Sequence, residues 1–357
     1  PASDAALAAE LAALADSLAG ADVFSGVVYV ARGGIPILHR GYGWAAREER
    51  VPNDTLTRFE LASVGKMFTA AAAARLAEER RLTFESTLAQ ALPEYPGGAA
   101  SRRVTVHHLL THASGIPDFF RSPRYRAAQA SIRTLPDYWP IFADRPLDFE
   151  PGTRWDYSNS NFILLGSIIE RAAAAPFASA VEERVMRRAG IPSVYRPLPG
   201  ALKARGYTRV PAGAERGTPA DPDHWYPASA DTAPPDTVSG GPAGGGTATA
   251  AELGRFVAAL AEGRIVSPRM VERMLTGYIA TEYGGRDGYG FETRLWNGVR
   301  IVGHGGAFPG VSNQVDFYPD LGYTVVVLGN TDGSGAQALA YRARLRLAAR
   351  GTGRRPR

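Results

Sequence analysis

The chain has 357 residues, enough to bury a sizeable core in one large domain or two smaller ones. Its hydrophobic share of 45% and charged share of 21% suit a globular protein, and no apolar run reaches the roughly 18 residues of a membrane-spanning helix. The lack of cysteine excludes disulfides, thiol catalysis and thiolate-bound metal, while a formal charge of +5 without basic and aromatic interleaving marks no nucleic-acid surface.

Residues 5–19, rich in Ala and Leu, read as an amphipathic helix. Residues 27–31 and 35–41 read as two strands of a hairpin turning at Gly33-Gly34. A helix-forming stretch covers 67–80, and 83–189 is mainly helical, broken by Pro and Gly. Residues 209–246, rich in Pro, Gly, Asp and Ala, predict a long irregular connection, long enough to be functional. Thr249 and Glu252 form a capping-box pattern that opens a helix over 250–262. Strands follow at 291–296, 299–303, 314–318 and 323–329, spaced as an antiparallel meander, and 335–350 reads as a helix. The expected architecture is therefore α/β of the α+β kind: one antiparallel sheet flanked by helices, plus an all-α lobe. Residues 1–82 and 236–357 would form the discontinuous sheet domain and 83–235 the helical lobe. The active site would lie in the cleft between them.

Charge is uneven along the chain. Residues 1–24 hold four acids and no base, whereas 342–357 hold seven arginines and no acid. The basic end is expected to be solvated and partly disordered rather than an anion-binding tail. The sequence starts at Pro1, which a removed signal peptide or trimming would explain. A periplasmic or secreted location is the expectation, with the cytoplasm as the alternative.

Only two lysines, Lys66 and Lys203, occur among the 40 Lys plus Arg. Lys66 stands three residues after Ser63, on the same face of a helix. Arginine keeps its proton in a protein, whereas a desolvated lysine can release it. The pair reads as a nucleophile and its amine activator at a helix N-terminus. Tyr157-Ser158-Asn159 lies in a loop running into a helix. A phenol beside an ammonium can have its pKa lowered and serve as a base, and an asparagine can hold a substrate amide. His304-Gly305-Gly306 follows a strand, and its glycines would let a substrate lie along that strand's edge.

These three elements, in this order and spacing, resemble the serine β-lactamase and penicillin-binding protein family. The likeness is to the branch of class C β-lactamases, D-Ala-D-Ala carboxypeptidases, D-aminopeptidases and related esterases. Leu109-Leu-Thr-His-Ala-Ser-Gly-Ile116, the run Tyr157 to Gly166 and the Gly-rich approach to a helix over 245–256 are similar to family segments as well. The resemblance covers roughly residues 20–345 and implies a β-lactamase/transpeptidase-like fold. It implies Ser63 as acylated nucleophile, with Lys66 and Tyr157 sharing the base role and Tyr157 protonating the leaving group. It implies Asn159 as orienter of the substrate amide, and His304, Gly305, Gly306 and Ala307 as substrate and oxyanion residues. The amides of Ser63 and Ala307 would form the oxyanion hole.

One departure matters: class C β-lactamases carry Lys-Thr-Gly where this chain has His304-Gly305-Gly306. An uncharged histidine anchors a β-lactam carboxylate less well. The expected substrates are therefore small esters, amides or peptides, with D-amino-acid units among the candidates. A class C-like β-lactamase, and a penicillin-binding receptor or pseudo-enzyme that does not turn over, are the rival readings. No cofactor is expected. His107, His108 and His112 are read as structural rather than metal-binding, as are Asp118 and Glu150. The Gly-rich run at 240–246 lacks a phosphate-loop ending. Trp139, Trp155, Trp225 and Tyr226, in or beside the 117–150 and 209–246 segments, are candidates for an apolar cleft wall.

Overall fold

A computed structural model describes residues 3–211, 218–222, 224–228 and 241–351. Eight antiparallel strands form the main sheet: β1 (Gly26–Arg32), β2 (Ile35–Tyr42), β3 (Ile279–Ala280), β4 (Arg286–Asp287), β5 (Glu292–Trp296), β6 (Val299–Phe308), β7 (Val311–Tyr318) and β8 (Tyr323–Gly329). Their order is β2-β1-β8-β7-β6-β5-β4-β3, so the N-terminal hairpin joins the C-terminal meander along the β1–β8 ladder, from Gly26 opposite Gly329 to Arg32 opposite Tyr323. The turns Gly33-Gly34 and Asn297-Gly298 have positive φ at both positions, at 56° and 79° and at 48° and 77°. That pattern matches the twist of two-residue hairpins.

The sheet is covered on both faces. Alternate residues of β1 therefore enter two cores, Val28 and Val30 one and Val27 and Tyr29 the other. The first core lies under two helices, α1 (Asp4–Gly20) and the C-terminal helix α5 (Gly335–Gly351). The second lies under three more helices: α2 (Lys66–Glu78), α3 (Asn159–Ala173) and α4 (Ala250–Ala261). The Thr249–Glu252 capping box forms, and Glu252 also pairs with buried Arg58 at 2.7 Å.

Two expectations need correction. The strand expected to end at 303 continues to Phe308, because the whole of β7 lies antiparallel beside it and pairs through to Val311. Glycine lowers intrinsic strand preference at 303, 305 and 306, and tertiary pairing overrides it. Nor is the described part of the basic C-terminus a loose end. Arg342 and Arg346 pair with Glu10 at 3.2 and 2.8 Å, and Arg350 pairs with Asp4 at 2.8 Å. Arg344 turns inward to Asp316 at 2.6 Å. The acidic start and basic end are partners across two adjacent helices. Residues 352–357 lie outside the described residues.

Candidate active site

Ser63 sits in a single tight turn, Ala62–Gly65, that runs directly into α2 at Lys66. The preceding Ala62 has φ +46°, a left-handed conformation that costs a non-glycine residue about 1 kcal/mol or more and persists only where neighbours enforce it. Glycines on two sides do so. A Cβ on Gly244 would lie 2.8 Å from the Ala62 carbonyl oxygen and 3.2 Å from the Ser63 nitrogen. A Cβ on Gly306 would lie 2.4 Å from the Leu61 carbonyl oxygen. The Gly-rich run thus braces the serine turn, and the second glycine after His304 lets β6 press against it.

Lys66 is fully buried. Its Nζ lies 3.1 Å from Ser63 Oγ and 2.8 Å from Asn159 Oδ1, and it also bonds the Ala243 carbonyl oxygen. A neutral amine has two N–H donors and one lone pair. Two carbonyl-type acceptors use both donors, leaving the lone pair for the Ser63 hydroxyl proton. Burial pulls the Lys66 pKa down from its ordinary 10.5 to about 7, while Asp118 and Asp287 offset part of that shift.

The Tyr157 hydroxyl donates to Ser63 Oγ at 2.9 Å. The expected lowering of its pKa is overturned: burial raises it strongly, so the phenol keeps its proton. The ammonium that was to lower it is itself destabilised by burial, and Nζ lies over the ring face, 4.9 Å from the centroid. Asn159 opens α3, with Oδ1 on Lys66 and Nδ2 donating to Asp118 Oδ2 at 3.1 Å. Both of its amide atoms are therefore engaged within the protein. His304 is half-buried; its ring centroid is 6.4 Å from that of Tyr157. Its Nδ1 lies 2.5 Å from the Gly305 carbonyl oxygen. Burial, and then the Lys66 charge, push its pKa down to about 4, leaving it uncharged at neutral pH.

β5 pairs with β6 only as far as Gly303, so the β6 edge from His304 to Phe308 is open. Phe308 and Val311 are paired across a two-residue turn, and the pair that closes such a hairpin is the hydrogen-bonded kind. Bonding alternates along the ladder, so exposed Ala307 directs its N–H away from β7, toward that open edge.

Sequence reasoning missed the residues that hold these groups. His112 has φ +52°, stacks on Tyr157 at 4.2 Å between centroids, and accepts the Ser158 N–H at Nδ1 over 3.2 Å. Burial keeps its imidazole neutral. Asp118, read as simply structural, anchors Asn159 through both the backbone N–H and the side-chain amide. Asp287 is buried, accepts the Trp155 indole N–H at 2.8 Å, and has its pKa raised by burial to about 8. The segment from Leu109 to Ile116 was the available signal for His112; nothing in the sequence pointed to Asp287.

Of the four proposed wall aromatics, Trp155 stands beside a site ring, 6.2 Å from that of Tyr157. Trp139 packs in the core against Tyr95. Trp225 is bonded to Asp22 at 2.6 Å and covered by Arg47 and Arg209. Tyr226 contacts His224 and Asp221. Much of the 209–246 connection lies outside the described residues. The three histidines take separate partners: His107 meets the Tyr289 hydroxyl, His108 accepts the Thr105 N–H, and His112 serves Ser158.

The sequence model of the Beta-lactamase family matches residues 11–350. The chain belongs to the Beta-lactamase family. Among members of this family, it is 30% identical over 343 residues to "Penicillin-binding protein 4*" of Bacillus subtilis, covering 90% of this chain and 71% of that protein. It is 34% identical over 200 residues to "Esterase EstB" of Burkholderia gladioli, covering 52% of this chain and 51% of the esterase. A solved penicillin-binding protein from Bacillus halodurans superposes with a TM-score of 0.78 at 30% identity, over 95% of this chain and 98% of that one. The β-lactamase/transpeptidase-like fold expected from the motifs is thus the fold of this chain.

Proposed function

We propose that this protein is a serine hydrolase that forms a covalent acyl-enzyme on small carboxylic esters, or on amides and peptides. The observation that carries the reading is the placement of Lys66 Nζ, which is within hydrogen-bonding distance of Ser63 Oγ, Asn159 Oδ1 and the Ala243 carbonyl oxygen; as a neutral amine it gives its two protons to the carbonyl-type oxygens and has its lone pair left for the Ser63 proton. In the attack step Ser63 Oγ bonds the substrate carbonyl carbon as its proton passes to Lys66 Nζ. The resulting oxyanion is held by the N–H groups of Ser63 and Ala307. The bond to the leaving group breaks as Tyr157 donates its proton to the departing atom, and the Lys66 proton then replaces it on the phenol. Water repeats the sequence to release the acid. Burial keeps Tyr157 protonated in the resting site, so it has a proton to give, and the developing negative charge on the departing atom draws it off.

His304 is uncharged at neutral pH and offers a β-lactam carboxylate no cation, which weighs against efficient β-lactam hydrolysis. The experiment is hydrolysis of p-nitrophenyl acetate by the native chain and by Ser63→Ala. Turnover lost in the variant supports the proposal. A single stoichiometric burst, with an acyl adduct seen by mass spectrometry, marks a penicillin-binding receptor instead. No Ser63-dependent release from this ester or from D-amino-acid amides overturns it.

A further inference from the structure

Beside Tyr157 stands a pair of rings that the chemistry above does not use. Trp155 is fixed from several sides: its N–H bonds buried Asp287 at 2.8 Å, and its ring meets His112 edge-on at 6.4 Å. Tyr283 meets Trp155 edge-on at 5.6 Å and is 60% exposed. It is carried by the β3–β4 turn, which is closed by bonds from Thr281 N–H to Gly285 O at 2.9 Å and from Gly285 N–H to Thr281 Oγ1 at 3.2 Å. An exposed ring on a pre-ordered turn loses little freedom on contact, so it is an efficient binding surface. Trp155 lies one ring beyond Tyr157, whose hydroxyl bonds Ser63 Oγ and, in the reading above, protonates the departing group. Arg121 pairs with Asp156 at 3.2 Å, Glu292 pairs with Arg294 at 2.8 Å and His304 is uncharged, while the Glu282 carboxylate bonds Tyr283 and disfavours an anionic group there.

We infer that Trp155 and Tyr283 form a subsite for a flat, uncharged aryl group on the leaving-group side of Ser63. The inference rests on the serine-hydrolase reading above. An aryl ester would lose its phenoxide, protonated by Tyr157 to the phenol, while the acyl group stays on Ser63 Oγ. The favoured substrates are then esters or amides of aromatic alcohols or amines, bound by ring-on-ring contact.

The test compares phenyl acetate with hexafluoroisopropyl acetate, which share an acyl group and have leaving groups of comparable acidity. The readout is the ratio of their kcat/KM values. The ratio should favour phenyl acetate in the native chain, fall about tenfold in Tyr283→Ala, and return in Tyr283→Phe. Trp155→Leu should lower it at least as far. A ratio unchanged in both Tyr283→Ala and Trp155→Leu overturns the subsite. If the native chain shows no Ser63-dependent turnover, the hydrolase reading fails separately. Calorimetric binding of phenyl acetate to Ser63→Ala then decides the subsite: weaker binding on adding Tyr283→Ala supports it, and equal binding overturns it.

Discussion

Replacing Lys66 by methionine should abolish activity and make the fold more stable at pH 7. Holding an amine that ordinarily titrates at 10.5 down to about 7 costs the native state roughly 5 kcal/mol, at about 1.4 kcal/mol per pH unit. Methionine keeps the apolar bulk and removes that cost. It also leaves Asn159 Oδ1 and the Ala243 carbonyl without their donor, at about 1–3 kcal/mol each. The net gain at pH 7 is therefore on the order of 1 kcal/mol. The pH dependence is the sharper signature. Between about pH 7 and 10.5 the unfolded chain carries the Lys66 proton and the folded chain does not. Native stability must then rise with pH relative to the variant, by about 1.4 kcal/mol per unit, and the variant's advantage should shrink and reverse. Urea unfolding at pH 7, 8 and 9 measures this. Asp287 titrates near 8, so the pair should be repeated in an Asp287→Asn background. Parallel stability curves would mean that Lys66 stays charged in the fold, and the lone-pair argument would be wrong. On the proposed function, the same proton predicts that kcat/KM of the native protein rises with pH through about 7.

Three further outcomes are expected. Gly306→Ala should fold yet lose about 10²-fold in kcat, because its methyl would stand 2.4 Å from the Leu61 carbonyl and push β6 off the serine turn; kinetics beside a thermal melt checks this. His112→Phe keeps a ring against Tyr157 but leaves the Ser158 N–H without its acceptor, so it should lose about 1–3 kcal/mol of stability and more kcat than KM; an unchanged kcat counts against a positioning role. Arg58→Ala strands the buried Glu252 carboxylate and should destabilise the fold by about 3–5 kcal/mol in urea unfolding.

Much of this protein was legible because local signals agreed with the final fold. The glycine turn at 33–34, the Thr249–Glu252 box and the alternating strands each act over a few residues, and each formed near its expected place. The Ser63–Lys66 spacing likewise needs only one turn of chain to bring the two groups together. The continuation of β6 past Gly303 was hidden because its glycines have no strand preference of their own; it depends on the partner strand. The partners of Trp225, Asp22 and Arg47 from remote segments and Arg209 from its own connection, were likewise hidden, because they meet only in the folded chain.

By itself the sequence determined which hydroxyl, amine, phenol and imidazole side chains stand in the three motifs, and the order of elements that carries them. Only the tertiary structure decided their protonation. Lys66 near 7, a firmly protonated Tyr157 and an uncharged His304 all follow chiefly from desolvation by residues remote in sequence. Burial is a property of packed neighbours, and no local pattern encodes it. The same holds for the supports: His112 meets Tyr157, and Asp287 meets Trp155, only after the helices and the sheet edge have closed on one another.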